Sequence, residues 1–494
     1  MVASPCQRIL SHLVEEEEDG RRVRIYRLPI YIKDSSFEDF RPQELVVGFY
    51  THRALVIDED PMHLDNSKVA IAREFCRGPG PDGPPVASAL ERPINPQIWV
   101  EFGSSLEVDL KLARENYDRL SCDGDASSSS ENAAVALDAL FIVAYLRYNY
   151  SFHDTWGYDF RAVFERCAYN AQRFPLLRDL LMLENQVPIS LLQAVVTRIC
   201  RPTPASPSSQ LYDMLQWFVM AIHPFSGEGG VGSVHLRRHF ERFHQNSCDT
   251  FVKCDHLLHC SYLAICGPED PLQSSPLDNS EYCGVELPYF STPSKESWTP
   301  ARTTFRIPSA TSLLRMGISV EVGDGVVTTN GVRLKRRKGN WCLLLPQLTM
   351  NDDTASIFRN LALYEQIMDN GIRPRGDMRT YLVLMSSLLD SVQDVRLLIN
   401  QGVILNQLGS SEKVSQQWNR MCDGLYIPST SPAYWSDLHR ILNQVELQNS
   451  TSMRPTRSCF LLSTCLVVIG CFLAFLAVFL RTVILIHAHP QAAM

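Results

Sequence analysis

The sequence lacks the charge balance, the cysteine pattern and the N-terminal segment that mark several protein classes. Acidic residues outnumber basic ones by 54 to 46, and the net charge of −8 argues against a nucleic-acid-binding protein. The 15 cysteines have no regular spacing, which favours reduced thiols in a reducing compartment over a disulfide framework. Residues 1–22 carry an acidic run instead of a basic and then an apolar stretch, so we expect a flexible acidic tail and no secretory signal.

Motifs of common enzyme classes are also missing. The chain contains no phosphate-binding G-x-x-x-x-G-K-[ST] loop, no H-E-x-x-H zinc motif and no G-x-S-x-G nucleophile motif. Gly227–Gly232 matches G-x-G-x-x-G, but a helix-like segment precedes it where a dinucleotide site requires a strand. We therefore interpret Gly227–Gly232 as a loop, and we predict that the protein is not an enzyme and holds no cofactor or metal ion.

Acidic residues inside apolar helical runs are the first candidates for chemistry. A carboxylate that is buried there needs a partner, because burying an unpaired charge is costly. Glu184, Asn185 and Gln186 stand just before Pro188, which is expected to end or kink a helix over residues 176–200. We predict that these three side chains cap the helix ends at this break, with paired acid–base catalysis as the alternative. The acidic residues concerned are Asp138, Asp179, Glu184, Asp390 and Asp394.

Histidines and cysteines are concentrated between residues 239 and 266. His256 and Cys260 stand at positions i and i+4, so on a helix the two side chains share a face that can ligate a metal ion. Cys254 and Cys260 are separated more widely than the C-x₂₋₄-C pairs of zinc sites. We interpret the segment as packed helix residues, with a bound metal as the alternative. The residues are His239, His244, Cys248, Cys254, His256, His259, Cys260 and Cys266.

Apolar periodicity and turn dipeptides predict the fold class. Most of residues 23–447 show the spacing of amphipathic helices, so we predict one mainly α domain. Within residues 303–348, Asp324-Gly325 and Asn330-Gly331 are typical of hairpin turns and predict a small antiparallel β-meander, which gives an α+β fold. We interpret the basic run 333–338 as a charged edge strand, with a lipid-headgroup or phosphate patch as the alternative.

An uncharged apolar run near the C-terminus predicts membrane attachment. Residues 459–480 would form a helix of about 33 Å, which matches a hydrocarbon core of about 30 Å. We predict a single C-terminal transmembrane helix there, which contacts the lipid bilayer between a juxtamembrane linker (448–458) and a short tail (481–494). The absence of a signal and the free thiols favour a cytoplasmic N-terminal bulk. Gly470 and Ala474 form a small-xxx-small pair that weakly indicates a homodimer through this helix.

Six short runs, taken together, resemble the plant family known as domain of unknown function 247. The central run, Leu180–Pro188, is similar to the signature of that family, and the other runs follow in the order of the family. These runs are Ala113–Tyr117, Asp255–Leu258, Ile307–Thr311 with Leu314–Gly317, Phe358–Leu361 with Glu365-Gln366, and Asp394–Gly402 with Leu408-Gly409. The resemblance covers residues 23–487. One departure is Val47–His52, which stands where the family has a Gly-Pro-Tyr-His-His-like turn.

The resemblance implies a plant membrane protein without an established enzymatic activity. Some members of the family are similar to candidate pollen-side determinants of self-incompatibility in grasses, which implies a recognition or signalling role by analogy. Our first hypothesis is a non-enzymatic interaction protein that contacts unknown protein partners through polar loops at 121–132 and 267–302. The alternative is an uncharacterised enzyme that uses Asp179, Glu184 or the His239–Cys266 cluster.

Overall fold

A computed structural model describes sixteen stretches of the chain, and it divides the chain into two compact units. The first unit comprises Met1–Leu314 and Ile318–Pro432, and the second comprises Arg315–Gly317 and Ala433–Met494. Beyond residue 422, the structure describes only residues 473–481, which are helical. The described residues are 24–28, 39–50, 62–79, 92–117, 125–150, 158, 160–166, 173–200, 207–225, 254–266, 307–323, 329, 332–337, 340–368, 377–422 and 473–481.

Helices make up most of the described part of the first unit. Those before the strands are α1 (Met62–Cys76), α2 (Pro96–Ser105), α3 (Glu107–Arg114), α4 (Asp125–Tyr150), α5 (Phe160–Arg166), α6 (Arg173–Asp179), α7 (Ile189–Ile199), α8 (Pro207–Ile222), α9 (Leu257–Cys266) and α10 (Ala310–Arg315). Those between and after the strands are α11 (Thr354–Met368), α12 (Asp377–Leu388), α13 (Val392–Asn400) and α14 (Ser411–Cys422). The prediction that the domain is mainly helical therefore describes this part of the chain.

Helix α4 lies at the centre of the core. It packs against α1, α5, α7 and α8, and its residues from Leu140 to Leu146 are all buried. A helix that is surrounded by other helices is apolar on nearly all sides, because it has no face toward water. Residues 125–132 belong to this helix, so the prediction of a surface loop at 121–132 was wrong for those eight positions.

Pro188 lies in the interruption between helices α6 and α7, as its position in the sequence indicates. Helix α6 ends at Asp179, a series of turns follows, and Pro188 precedes the first residue of α7 with ψ at 136°, outside the helical region. Further along, Gly402 follows α13 with φ at +72°, which a glycine adopts readily. Both predicted helix boundaries are confirmed at these residues.

The predicted antiparallel β-meander was wrong. Strand β1 (Ile318–Val322) pairs in parallel with β3 (Asn340–Leu345), and β2 (Arg333–Arg337) pairs antiparallel with β3, so the strand order is β1-β3-β2. In a meander β1 and β2 would be neighbours. The apolar β3 takes the central position because Cys342–Leu345 are buried, whereas the highly charged β2 lies at the edge of this sheet.

A second, smaller sheet joins distant parts of the chain. Strand β4 (Leu348–Met350) pairs in parallel with β5 (Ile404–Asn406). This pairing places the segment after β5 beside the start of α11, because Gln407 N–H donates to the Met350 carbonyl (2.9 Å). The proposed turn dipeptides Asp324-Gly325 and Asn330-Gly331 lie outside the described residues.

The predicted C-terminal transmembrane helix also needs correction. Among the described residues, the helix that is long and apolar enough to cross a membrane is Ser129–Tyr150, in α4, and 61% of its most apolar window is buried inside the protein. Helix α4 is as long and apolar as a transmembrane helix because it is a core helix. Of the predicted span, residues 459–472 lie outside the described residues, and residues 473–480 are helical with exposed apolar side chains.

Candidate functional site

Asp179 holds the N-terminal segment 39–50 against the helical core. Its carboxylate is fully buried, and its Oδ2 atom accepts the backbone N–H groups of Gln43 (2.9 Å), Glu44 (2.6 Å) and Leu45 (2.9 Å). Its Oδ1 atom accepts two hydrogen bonds from the guanidinium of Arg178, the shorter at 2.6 Å. These five hydrogen bonds use both carboxylate oxygens, so Asp179 joins the N-terminal segment to the end of α6.

Asn185 and Glu184 bind the same N-terminal part of the chain. The Asn185 side chain accepts the Val47 N–H (2.7 Å) and donates to the Leu45 carbonyl (2.8 Å), which pairs it with the backbone as a neighbouring strand would. Glu184 Oε1 accepts the N–H of Leu28 at 2.8 Å. The carboxylates of Asp179 and Glu184 therefore both accept backbone N–H groups of distant segments.

Gln186 joins the turn before α7 to the start of α9. Its amide nitrogen donates to the carbonyls of Leu180 and Met182, each at 2.8 Å, and its amide oxygen accepts the Leu258 N–H at 3.1 Å. All three of these hydrogen bonds are made to backbone groups inside the protein. Gln186 therefore caps the start of a neighbouring helix as predicted, whereas Glu184 and Asn185 bind backbone groups of the N-terminal part of the chain.

Gly48 occupies the closest approach between the N-terminal segment and this turn. Its φ is +84°, and a Cβ atom at this position would lie 2.5 Å from the Gln186 carbonyl oxygen. Its N–H donates to Asp138 Oδ2 (2.9 Å), while Asp138 Oδ1 accepts the ammonium of Lys68 (2.6 Å). Lys68 and Asp138 are 3% and 0% exposed, so this ion pair is fully inside the protein.

Two residues of α11 extend the same kind of contact to other segments. Asn360 accepts the Leu183 N–H (2.9 Å) and donates to the Asp39 carbonyl (3.0 Å), so it joins three segments. Glu365 accepts the N–H groups of Met378 (2.9 Å) and Arg379 (3.0 Å) at the start of α12, and also the Arg379 side chain (3.0 Å). These buried groups fix where α12 begins.

Asp394 and Asp390 have different environments. The Asp394 carboxylate completes a capping box with Ser391 and accepts the Thr311 N–H from α10 (2.8 Å). Burial acts to raise the pKa of Asp394, but the hydrogen bonds from Ser391 and Thr311 outweigh burial and lower this pKa. Asp390 is exposed, so its assignment to the buried set was wrong.

His256 is a buried, neutral histidine in the part of the His/Cys region that the structure describes. Its Nε2 atom lies 3.1 Å from the Arg24 carbonyl oxygen and donates to it, and its Nδ1 atom accepts the His259 N–H (3.3 Å). Burial first, and then the neighbouring His259, lower the pKa of His256 to about 3. Beside it, Asp255 pairs with Arg24 and with His259 (3.2 Å).

The cysteines around His256 are buried thiols that form no disulfide with one another. Burial raises the pKa of Cys260 well above its usual value, and the adjacent Cys254 adds to this effect. No group of three or more His, Cys, Asp or Glu side chains that could hold a metal ion occurs among the described residues. His239, His244 and Cys248 lie outside them.

A cavity of about 190 Å³ lies next to the Asp179 contacts. The ends of α6 and α8, strand β4, the start of α11 and the residue after β5 enclose it. Asn351 begins α11 by accepting the N–H groups of Asp353 (3.1 Å) and Thr354 (3.0 Å), which places Asp353 at the cavity. The lining residues are Leu177, Arg178, Ala221, Ile222, His223, Pro224, Thr349, Asn351, Asp353, Thr354, Ile357 and Gln407.

A comparison with known protein families supports the resemblance that the motif runs suggest. A family described as plant proteins of unknown function, DUF247, matches residues 25–480, which is most of the chain. The chain belongs to the DUF247 family. It is also 32% identical over 116 residues to a putative UPF0481 protein of Arabidopsis thaliana, and this match spans 23% of the chain and 21% of the relative. No solved structure matches the chain.

In this DUF247 protein, the residues of the motif runs are joined to one another by hydrogen bonds. Leu180–Pro188 contacts Asp255–Leu258 through Gln186, and it contacts Phe358–Leu361 through Asn360. The cavity was not predicted from the sequence. Asp353 belongs to an Asn-Asp-Asp-Thr run that is a recognisable helix start, but nothing in the sequence indicates that Arg178 and β4 would face it.

Proposed function

We propose that this DUF247 protein acts by binding other proteins, in recognition or signalling, and not by catalysis. The single observation that supports the proposal is the hydrogen bonding of the carboxylates in the motif runs and directly before the central run. Asp179, Glu365 and Asp394 accept hydrogen bonds from backbone groups and adjacent side chains in the interior. Such groups stabilise one arrangement of the chain and leave the molecular surface available for contacts.

An exposed apolar pair on α3 offers a surface for such contacts. Val108 is 69% exposed and Leu112 is 53% exposed, and the two residues lie one helical turn apart. The opposite side of α3 carries Leu110 and Ala113, which are buried. This adjacent pair is a contact surface that a protein partner could cover.

Affinity capture of the full-length chain from plant tissue tests the interaction role. We expect Val108→Asp/Leu112→Asp to lose a reproducible subset of captured proteins, because a carboxylate in an apolar contact is costly to bury. The matched control, Glu107→Gln/Lys111→Gln, changes exposed positions on the same helix and should retain that subset. An identical set of captured proteins for all three forms would contradict a role for this surface. A turnover that Asp179→Asn abolishes in a folded sample would contradict the non-enzymatic role.

Attachment to a membrane is the second part of the proposal. Leu473, Phe475, Val478 and Phe479 are all more than half exposed in the described helical residues 473–481, and an exposed apolar helix of this kind requires lipid or protein to cover it. We infer that residues 459–480 contact the bilayer, with the N-terminal bulk in the cytoplasm. The homodimer through Gly470 and Ala474 stays a prediction, and Gly470 lies outside the described residues.

Carbonate extraction and protease protection test the attachment. The full chain should stay in the membrane pellet at high pH, and a chain that ends at residue 458 should move to the supernatant. Protease added to sealed vesicles should digest an N-terminal tag if the bulk is cytoplasmic. Extraction of both chains alike would contradict attachment through residues 459–480, and a protected tag would contradict the orientation.

A further inference from the structure

The cavity beside Arg178 has a carboxylate, that of Asp353, in its wall. The Arg178 guanidinium donates to the buried Asp179 carboxylate through Nε (3.2 Å) and a terminal nitrogen (2.6 Å), so its positive charge is offset. Asp353 then remains as a carboxylate in the cavity wall, which Asp179 itself does not line. With Asp179 and Asp353 both ionised, these three side chains carry one net negative charge.

Asp353 has no donor close to its carboxylate among the described residues. It is half-buried, and its backbone N–H is the group that Asn351 caps. Burial first, and then the nearby Asp352 and Asp179, raise the pKa of Asp353, while Arg178 acts in the opposite direction. The ionised form of this carboxylate would therefore be stabilised by a positive group that enters the cavity.

Further acceptors surround the same space. The Thr349 hydroxyl is buried and has no hydrogen-bond partner among the described residues, so its oxygen is available to accept a proton donor. Ala221 and Ile222 line the cavity at the C-terminal end of α8, where the last carbonyls of a helix carry partial negative charge. The donors at the start of α11 offer little competition, because Asn351 already accepts the N–H groups of Asp353 and Thr354.

We propose that this cavity binds a primary alkylammonium group. The three N–H donors of an ammonium suit the Asp353 carboxylate, the Thr349 hydroxyl and a helix-end carbonyl, while Leu177, Ile222 and Ile357 provide apolar contacts for the alkyl chain. A cavity of about 190 Å³ is larger than the roughly 150 Å³ that holds benzene, so a short alkylamine or a lysine side chain fits. The inference goes beyond the proposed interaction role and stands without it.

Calorimetric titration of the full-length chain in detergent micelles tests the proposal. The probes are n-butylammonium, the neutral n-butanol and the anionic butyrate, which have similar size and different charge. We expect butylammonium to bind with a Kd of about 1 mM, since five heavy atoms limit the affinity. The two other probes should bind at least about tenfold more weakly, because they lack a charge-assisted hydrogen bond to Asp353.

Two isosteric variants separate the site from general charge effects. Asp353→Asn should weaken butylammonium binding about tenfold or more, and asparagine also keeps a good helix start. Asp352→Asn removes the same charge from the adjacent exposed residue and should change the affinity less than about twofold. Thermal unfolding of both variants shows whether each is folded. Equal loss in both variants, butyrate binding as tight as that of butylammonium, or no binding of butylammonium overturns the proposal.

A fourth probe identifies the source of the amine. N-acetyl-lysine methylamide presents the same ammonium as a lysine side chain in a peptide. If it binds at least as tightly as butylammonium and loses affinity in Asp353→Asn, the cavity takes a lysine from a protein partner. If only butylammonium binds, the cavity takes a free amine, and the alkylammonium chemistry is supported in both cases.

Discussion

At the scale of single residues, Gly48 shows how closely two segments meet. Both its positive φ and the nearby Gln186 carbonyl exclude a side chain, so two separate physical effects act at one position. Gly409 has nearly the same φ, +87°, but a Cβ atom there would meet nothing within 4 Å. A comparison of substitutions at the two glycines therefore separates the cost of backbone strain from the cost of steric contact.

We predict that Gly48→Ala destabilises the fold more than Gly409→Ala. The Gly409 variant should lose about 1 kcal/mol of unfolding free energy, which is the cost of a positive φ for alanine. The Gly48 variant should lose at least about 2 kcal/mol more, because the Gln186 carbonyl must shift. Urea unfolding of the two variants measures the difference, and equal losses would show that segment 39–50 lies farther from the turn.

His256 gives a prediction about pH. Its pKa is lowered to about 3 in the folded protein, whereas an unfolded histidine has a pKa of about 6.5. Between these values the unfolded state binds more protons, so the stabilising contribution is present above pH 6.5 and is lost as the pH falls. The expected slope is about 1.4 kcal/mol per pH unit well inside this range.

The pH dependence of thermal unfolding checks this prediction. His256→Gln should unfold with a shallower dependence between about pH 6 and pH 4, because glutamine does not titrate. His259→Gln is the matched control, since His259 is only partly buried and adjacent to the same carboxylate. A slope in the His256 variant that equals the unsubstituted slope would mean that other groups carry the acid sensitivity.

At the scale of elements, Asp394 connects the start of α13 to the start of α10. It closes the capping box with Ser391 and accepts the Thr311 N–H, so one carboxylate satisfies donors on two helices. A residue that serves two helix ends should cost more to remove than an ordinary cap. The exposed Asp390 lies four residues earlier and provides the comparison.

We predict that Asp394→Ala lowers the unfolding free energy by about 2–3 kcal/mol, because it leaves buried N–H groups without an acceptor. Asp390→Ala should change it by less than about 0.5 kcal/mol, as expected for an exposed position. Denaturant titration followed by circular dichroism gives both values. Equal effects at the two positions would exclude the double capping role of Asp394.

At the scale of the whole molecule, the motif runs and the adjacent Asp179 form one connected set of polar contacts. Asp179, Asn185 and Asn360 each join segments that are more than a hundred residues apart in the chain. Contacts of this kind fix the topology, since each one closes a long loop. We infer that the N-terminal segment 39–50 detaches when one of them is lost.

Asp179→Ala should release this segment first. We expect a loss of about 3–5 kcal/mol of unfolding free energy, because the buried Arg178 guanidinium loses its partner. Hydrogen exchange at the amides of Gln43, Glu44 and Leu45 should accelerate at least about a hundredfold, while exchange at amides in the centre of α4 should accelerate much less. Exchange that rises uniformly across the core would indicate global unfolding and not local release.

Helix positions and several polar roles followed from the sequence. Pro188 marks a helix boundary by its covalent geometry, and Gly402 marks another by its freedom at positive φ, so both are local properties. The capping role of Glu184–Gln186 followed from the cost of burying polar groups. Their partners did not, because Leu28, Val47 and Leu258 approach them only after the chain folds.

The strand order and the cavity were decided by tertiary structure. Turn dipeptides indicate hairpins between neighbours in sequence, but the apolar β3 lowers the free energy most when it lies between two strands, so β1 pairs with β3 and not with β2. The cavity depends on where α6, α8 and α11 end relative to β4. Such distances are set by packing of the whole domain and have no local signal.

The apolar run near the C-terminus shows the same division. Composition alone determined that residues 459–480 and the centre of α4 are both too apolar to face water. Only tertiary structure decided what covers α4, because its packing against α1, α5, α7 and α8 places it inside the protein. Composition fixes the need for an apolar environment, and the surrounding chain determines whether protein supplies it.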